Sequence, residues 1–283
     1  MYRQRRSNRI RAAVAAFAGL TTLLLGASLI TACGRTEIEG AEASQSAGQN
    51  TAITVAETTT LPPTTLPPTT TTTTAAWPKG PVVPLPAAGA VPVLSTIATT
   101  DPVVFLTIDD GNIRDPRVPE LLAQFKVPAT LFLNQGPFLT DPDYFFSVIA
   151  SGGTINSHTK SHTQLTRLNA ASQRNEICGM RDIIGQHMSV PGHLFRAPFG
   201  VSNGATQTAA GSCGINAVLF WHAALNDGRI QYQQGNQLQP GDIILSHFRN
   251  DLYDNIQALL VQCALQGLTI APIEAYLPLP AGG

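Results

Sequence analysis

Charge is what this sequence has least of: Lys, Arg, Asp and Glu make up only 12% of 283 residues, and 17 basic against 18 acidic side chains leave a net charge of −1. Nucleic-acid affinity rests on clustered Lys and Arg that neutralise phosphates, so no nucleic-acid partner is expected. Basic residues cluster once, at Arg3, Arg5, Arg6, Arg9 and Arg11, ahead of an apolar run from Ala12 to Ile30, which is the pattern of an export signal. Cysteine is also scarce, with four residues and no Cys-x-x-Cys pair, so a thiolate metal site is not indicated. Beyond the leader, Cys178, Cys213 and Cys263 permit one disulfide in an oxidising compartment and leave one thiol over. The sequence leaves the pairing open, leaning slightly to Cys178 with Cys213.

The apolar run ends in Ile30-Thr31-Ala32-Cys33, which resembles the bacterial lipobox. That resemblance implies a lipidated Cys33 as the mature N-terminus and a membrane partner through the lipid. The run is close to spanning length, so an uncleaved anchor and simple secretion stand as alternatives. All three put the remainder outside the cytoplasm. From Gly34 to about Pro92 the chain has almost no core-forming character, and it includes Leu61-Pro62-Pro63, Leu66-Pro67-Pro68 and a threonine run from Thr69 to Thr74. Such a stretch is expected to be an extended, solvated tether, because it buries too little apolar area to offset its ordering entropy. The expected organisation is a lipoprotein-type signal over 1–33, a disordered linker over 34–92 and one folded domain over 93–283.

Within the folded part, Val103 to Ile108 is continuously apolar and predicts a buried strand. Asp115-Pro116 predicts the start of a helix through Phe125, and Asp141-Pro142 starts another. Further strands are expected at Ala129 to Leu133, Ile215 to Trp221 and Asp242 to Ser246. A helix is expected over Ala170 to Met188, where Ile177, Met180, Ile184 and Met188 recur at helical spacing, and a last one over Leu252 to Gln266, with Ile256, Leu259, Leu260 and Cys263 on one face. Those apolar stripes read as core. The alternation argues an α/β fold with a mainly parallel sheet or barrel, whose sites lie at the carboxyl edge of the strands.

Asp109-Asp110-Gly111 follows directly on the first strand. Two adjacent carboxylates at a strand end repel unless a cation or arginine compensates them, although alone such a pair serves as readily in a turn. His158-Thr159-Lys160-Ser161-His162 places two imidazoles at i and i+4. The spacing resembles the metalloprotease motif His-Glu-x-x-His, but Thr159 stands where that motif carries its glutamate base, so that mechanism is excluded. Two histidines and a carboxylate make a three-ligand site with a position left open for water.

Taken together, these segments resemble the polysaccharide deacetylases of the NodB homology type, carbohydrate esterase family 4. Thr107-Ile108-Asp109-Asp110-Gly111 matches the family's first motif, His158 to His162 the second, Arg196-Ala197-Pro198-Phe199-Gly200 the third and Leu245-Ser246-His247 the fifth, in family order. The fourth, Asp-x-x-Asp-Trp, is degenerate: of Ala224-Leu225-Asn226-Asp227-Gly228 only Asp227 matches. The lost tryptophan suggests a more open groove or a different acceptor.

The resemblance implies a distorted (β/α) barrel and a metal-dependent deacetylase acting on an acetylated polysaccharide, cell-wall peptidoglycan favoured. An O-acetyl esterase of the xylan type, or a non-catalytic glycan-binding protein on the same fold, are the other readings. It further implies that Asp110, His158 and His162 bind a divalent metal, zinc first and cobalt or another ion otherwise. Asp109 is then the general base, held by Arg196, and His247 the general acid, oriented by Asp227 with its pKa raised. A backbone N–H near Phe199 is expected to stabilise the oxyanion, and Leu245 to line the pocket for the acetyl methyl. His187, His193 and His222 lie outside the motifs and are expected to play no ligand role.

Overall fold

The computed structural model describes residues 89–189 and 192–277. The leader with Cys33, and the tether except for its last few residues, lie outside the described residues.

Among the described residues ten strands and six α-helices follow in chain order: β1 (Val93–Leu94), β2 (Val103–Asp110), α1 (Arg117–Phe125), β3 (Thr130–Leu133), α2 (Gln135–Thr140), α3 (Pro142–Val148), β4 (Ile155–Ser157), α4 (Ala170–His187), β5 (Leu194–Phe195), α5 (Gly204–Ser212), β6 (Ala217–Leu219), β7 (Ala223–Asn226), β8 (Arg229–Tyr232), β9 (Ile243–His247), α6 (Leu252–Gln266) and β10 (Thr269–Ile270). The sheet order is β1-β6-β5-β4-β3-β2-β9-β7-β8, with β10 paired to the start of β2. Every pairing is parallel except the β7–β8 hairpin, and the path does not close between β1 and β8. The result is a curled half-barrel.

The residues of β2 are buried from Val103 to Asp109, because both faces of this strand are covered. Side chains alternate across a strand, and here the two faces enter different cores. Val104, Leu106 and Ile108 join Leu122, Met180, Ile184, Ile256 and Leu259 of the surrounding helices. Phe105 faces inward with Phe132, Leu219, Ile243 and Tyr276. A fully buried side chain of this size contributes roughly 2 kcal/mol by removal from water. The inward series of β2 continues through Thr107 to Asp109, and that of β9 runs from Ile243 through Leu245 to His247, so polar residues take over the inner face at the carboxyl edge.

Local signals placed most helices where the sequence predicts them. Asp141 caps α3 by accepting the Tyr144 N–H at 3.2 Å, and α6 has the expected limits. Helix α1 starts two residues after Asp115, whose carboxylate accepts the Arg117 N–H at 3.0 Å. Three features differ from expectation. The two- and three-residue strands β4 and β5 are too short to show a period of two. Helix α2 carries Gly and Pro in its first half and has no apolar stripe to announce it. Residues 223–232 form the β7–β8 hairpin, which is not among the expected strands. Cys178 in α4 and Cys213 after α5 form a disulfide, leaving Cys263 free and buried.

Candidate active site

Four strand ends converge on one spot. β2 terminates in Asp109-Asp110, β4 delivers His158, β5 delivers Arg196, and His247 closes β9 directly opposite Asp109 in the β2–β9 register. The backbone here is strained. Asp110, Thr159, His162 and Phe199 all have left-handed conformations, with φ of 78°, 71°, 55° and 63°. Non-glycine residues rarely adopt this region, a β-branched threonine least of all, and such outliers gather where surrounding structure over-determines them for function. Gly111, at φ 96°, turns the chain where a Cβ would lie 2.9 Å from the Phe145 ring, which explains the glycine after the two aspartates.

Asp110, His158 and His162 come together with their ligand atoms within 4.8 Å of one another. Asp110 Oδ1 lies 3.5 Å from His158 Nε2 and 3.3 Å from His162 Nε2. His158 Nδ1 is 2.8 Å from the Arg196 carbonyl, which only accepts, so Nδ1 carries the proton and Nε2 presents a lone pair. Burial pushes the His158 pKa down, against the pull of Asp109 and Asp110, and keeps the ring neutral. Asp110 Oδ1 is therefore a buried carboxylate oxygen facing a lone pair, with no hydrogen-bond partner among the described residues. A buried carboxylate oxygen left in this state is costly. A divalent cation bound by one oxygen and two imidazole nitrogens resolves that cost, so the donor set fits one.

Asp109 is treated differently. Its Oδ1 accepts from Arg196 Nη1 at 2.8 Å, and both side chains are buried. The guanidinium makes three further bonds: Nε donates to the Leu219 carbonyl at 3.0 Å, Nη2 to the Phe220 carbonyl at 3.0 Å, and Nη1 also to Thr107 Oγ1 at 2.8 Å. Its plane stacks 4.4 Å over the Phe132 ring. Burial draws the Arg196 pKa down and Asp109 opposes the shift, yet a guanidinium stays protonated at any physiological pH. Asp109 Oδ2 accepts no hydrogen bond among the described residues and lies 3.8 Å from His158 Nε2, which leaves it turned toward the cluster.

His247 is half-buried, and burial pushes its pKa down, with Asp109 and Asp110 opposing and Arg249 adding to the fall. This corrects the expectation for Asp227. That residue sits exposed in the β7–β8 turn at φ 51°, its backbone N–H donating to Asp251 at 2.8 Å. Among the described residues no hydrogen bond joins its carboxylate to His247, and the residue falls in the turn because β7 ends one residue earlier, at Asn226.

Leu245 is buried two residues before His247 on the same face of β9, beside Thr107 in register. Phe199 is exposed, and its ring meets the edge of His162 at 4.8 Å. In its turn, the Gly200 and Val201 N–H groups bond the Ala197 and Pro198 carbonyls, and the Phe199 N–H is not among these bonds. Two positions that sequence reasoning did not single out also shape the site. Buried Asn134 donates Nδ2 to the His158 carbonyl at 2.6 Å and to the Thr159 carbonyl at 3.1 Å; a polar residue just past β3, at the same strand edge, was its only signal. Trp221 packs against Gly200, where a Cβ would come within 2.7 Å of the indole. His187, His193 and His222 lie elsewhere, against Phe138, the Gly214 carbonyl and Asp242.

Comparison with known proteins places this geometry. The family model for polysaccharide deacetylase matches residues 96–218. An uncharacterized protein of Streptomyces coelicolor is 38% identical over 195 residues, covering 66% of this chain and 77% of its own. A peptidoglycan-N-acetylglucosamine deacetylase of Bacillus cereus is 27% identical over 194 residues, covering 64% of this chain and 91% of its own. Among solved structures, the chitin deacetylase of the fungal pathogen Colletotrichum lindemuthianum superposes with a TM-score of 0.59 at 19% identity, over 70% of this chain and 95% of that one.

Proposed function

This chain belongs to the polysaccharide deacetylase family, and from that premise we propose that it is an exported, metal-dependent hydrolase removing acetyl groups from an N-acetylated polysaccharide, peptidoglycan above others. The observation that carries the metal dependence is the buried Asp110 Oδ1, without a hydrogen-bond partner among the described residues and facing two imidazole nitrogens. Asp110, His158 and His162 would hold the cation, zinc foremost or cobalt. When bound, such an ion supplies Lewis acidity toward the acetyl carbonyl and makes nearby water more acidic.

The remaining roles fall to the chain's own groups. Asp109 takes the proton of the attacking water through Oδ2, because Arg196 already occupies Oδ1 and fixes the carboxylate's orientation. The Phe199 N–H points a donor at the developing oxyanion. His247, opposite Asp109, passes a proton to the departing amine nitrogen, which leaves poorly as an anion. Leu245 bounds the space for the acetyl methyl.

The disulfide supports an oxidising, extracytoplasmic location, and lipidation of Cys33 with a solvated tether over 34–92 would hold the domain over 93–283 near a membrane-proximal cell wall. The name of the Bacillus cereus relative favours peptidoglycan. Acetate release from peptidoglycan, N-acetylglucosamine oligomers and acetylated xylan, each with and without chelator, tests the reading. Chelator-sensitive release from the N-acetylated substrates is expected. Release from xylan alone would make the protein an esterase, and release from none would leave a glycan-binding domain.

A further inference from the structure

The two histidines of the cluster are held very unequally. His158 is buried, with Nδ1 on the Arg196 carbonyl and its own carbonyl on Asn134. The His162 side chain is 37% exposed; its ring meets only the Phe199 edge and the partners of the cluster, and its backbone N–H bonds Thr159 Oγ1 at 3.0 Å. What fixes the segment leading into it is one stretch of α4. Glu176 accepts the Ser161 N–H at 2.9 Å through Oε2 and the Ser161 hydroxyl at 3.1 Å through Oε1. The Ile177 carbonyl accepts the Ser157 hydroxyl at 3.3 Å. Gly179 leaves room for the Lys160 stem, which a Cβ there would approach to 2.6 Å. Between Ile177 and Gly179 sits Cys178, joined to Cys213 across 35 residues.

We propose that Glu176 is a positioning residue for His162, and that the Cys178–Cys213 disulfide locks the α4 stretch Glu176–Gly179 against the histidine loop, so that forming the disulfide raises the site's affinity for a divalent cation. The inference rests on the cation-site reading above. The loop needs such a brace because Thr159 and His162 both hold left-handed conformations that relax unless something enforces them. With the disulfide broken the brace loosens, while Arg174 with Ser212 at 3.1 Å and Thr206 with Gln173 at 2.6 Å still tie α4 to α5.

The test is a zinc titration against a competing chelator, using the full chain in its oxidised form and four variants: Cys178→Ala with Cys213→Ala, Glu176→Ala, Glu176→Gln, and Leu259→Ala in the distant α6 core as a control for lost stability. Removing a side chain that orients a ligand typically weakens metal binding by about tenfold or more, and that loss is expected for the double cysteine variant and for Glu176→Ala. Glu176→Gln, which keeps an acceptor for Ser161, should recover most of it, and Leu259→Ala should bind as the parent does. A matching change in the visible spectrum of bound cobalt should accompany the weakened variants. Parental affinity in both the cysteine variant and Glu176→Ala overturns the proposal, as does an equal loss in Leu259→Ala. If the cysteine variant fails to fold, the Glu176 pair decides alone. A parent protein that binds no zinc at all refutes the cation-site reading itself, a result distinct from equal affinities across the series.

Discussion

Asp109 and Asp110 are neighbours in the chain and opposites in their surroundings: Asp109 Oδ1 takes a 2.8 Å hydrogen bond from a buried guanidinium, whereas Asp110 Oδ1 is buried with no hydrogen-bond donor among the described residues and lies 3.3 Å from an imidazole nitrogen. Successive residues at a strand end point to opposite sides, and β2 uses this to send one acid inward to Arg196 and the other toward the histidine loop. The positive φ of Asp110 completes the divergence.

The buried Arg196–Asp109 pair makes Arg196 the most consequential single position for stability. Arg196→Ala leaves Asp109 as an uncompensated buried charge and frees two main-chain carbonyls, and removal of one partner from such a pair costs about 3–5 kcal/mol. Urea unfolding should show that loss. Arg196→Lys should recover only part of it, since an ammonium cannot reach Asp109, Leu219 and Phe220 together. A loss below about 1 kcal/mol for Arg196→Ala would be typical of an exposed pair and would contradict the geometry.

Glu274 gives the fold a pH signature apart from the site. Its Oε1 accepts from the Thr130 and Thr154 hydroxyls while Oε2 is buried without a partner among the described residues, and burial pushes its pKa up against those hydrogen bonds. A raised folded value means that the contribution to stability is full below the ordinary carboxylate value and is lost as pH rises through the folded value. Denaturation midpoints measured from mildly acidic to neutral pH should therefore fall more for the parent than for Glu274→Gln. Parallel curves would show that Glu274 ionises as it does in the unfolded chain.

Cys263 should be inert. Burial pushes its thiol up to about 12, so almost no thiolate forms at neutral pH. Peptide mapping after iodoacetamide should find Cys263 unmodified in the native protein and fully modified in denaturant. Rapid native labelling would mean that α6 opens locally.

The site was largely legible in the sequence and the frame only in part. The strand β2, the helices α4 and α6, and the convergence of Asp110, His158 and His162 follow from a continuous apolar run, a helical stripe and motif spacing. The strands that actually carry His158 and Arg196 are three and two residues long, and no periodicity can show in so few. Asp227 was assigned by alignment to a degenerate motif, but a hairpin turn of two residues sets where its side chain goes, and alignment holds no information on that turn. Asn134 and Glu176 act on the histidine loop from β3's end and from α4, contacts that exist only once the chain has folded.

The division of labour between the two aspartates is tested most directly by the cation content of Asp109→Asn and Asp110→Asn after zinc loading, with acetate release measured on the same samples. Loss of a general base typically costs about 100- to 10,000-fold in rate, so Asp109→Asn should retain the parental zinc content and lose almost all turnover. Asp110→Asn should lose both. Zinc lost from Asp109→Asn but kept by Asp110→Asn would show that the two carboxylates have been given each other's roles.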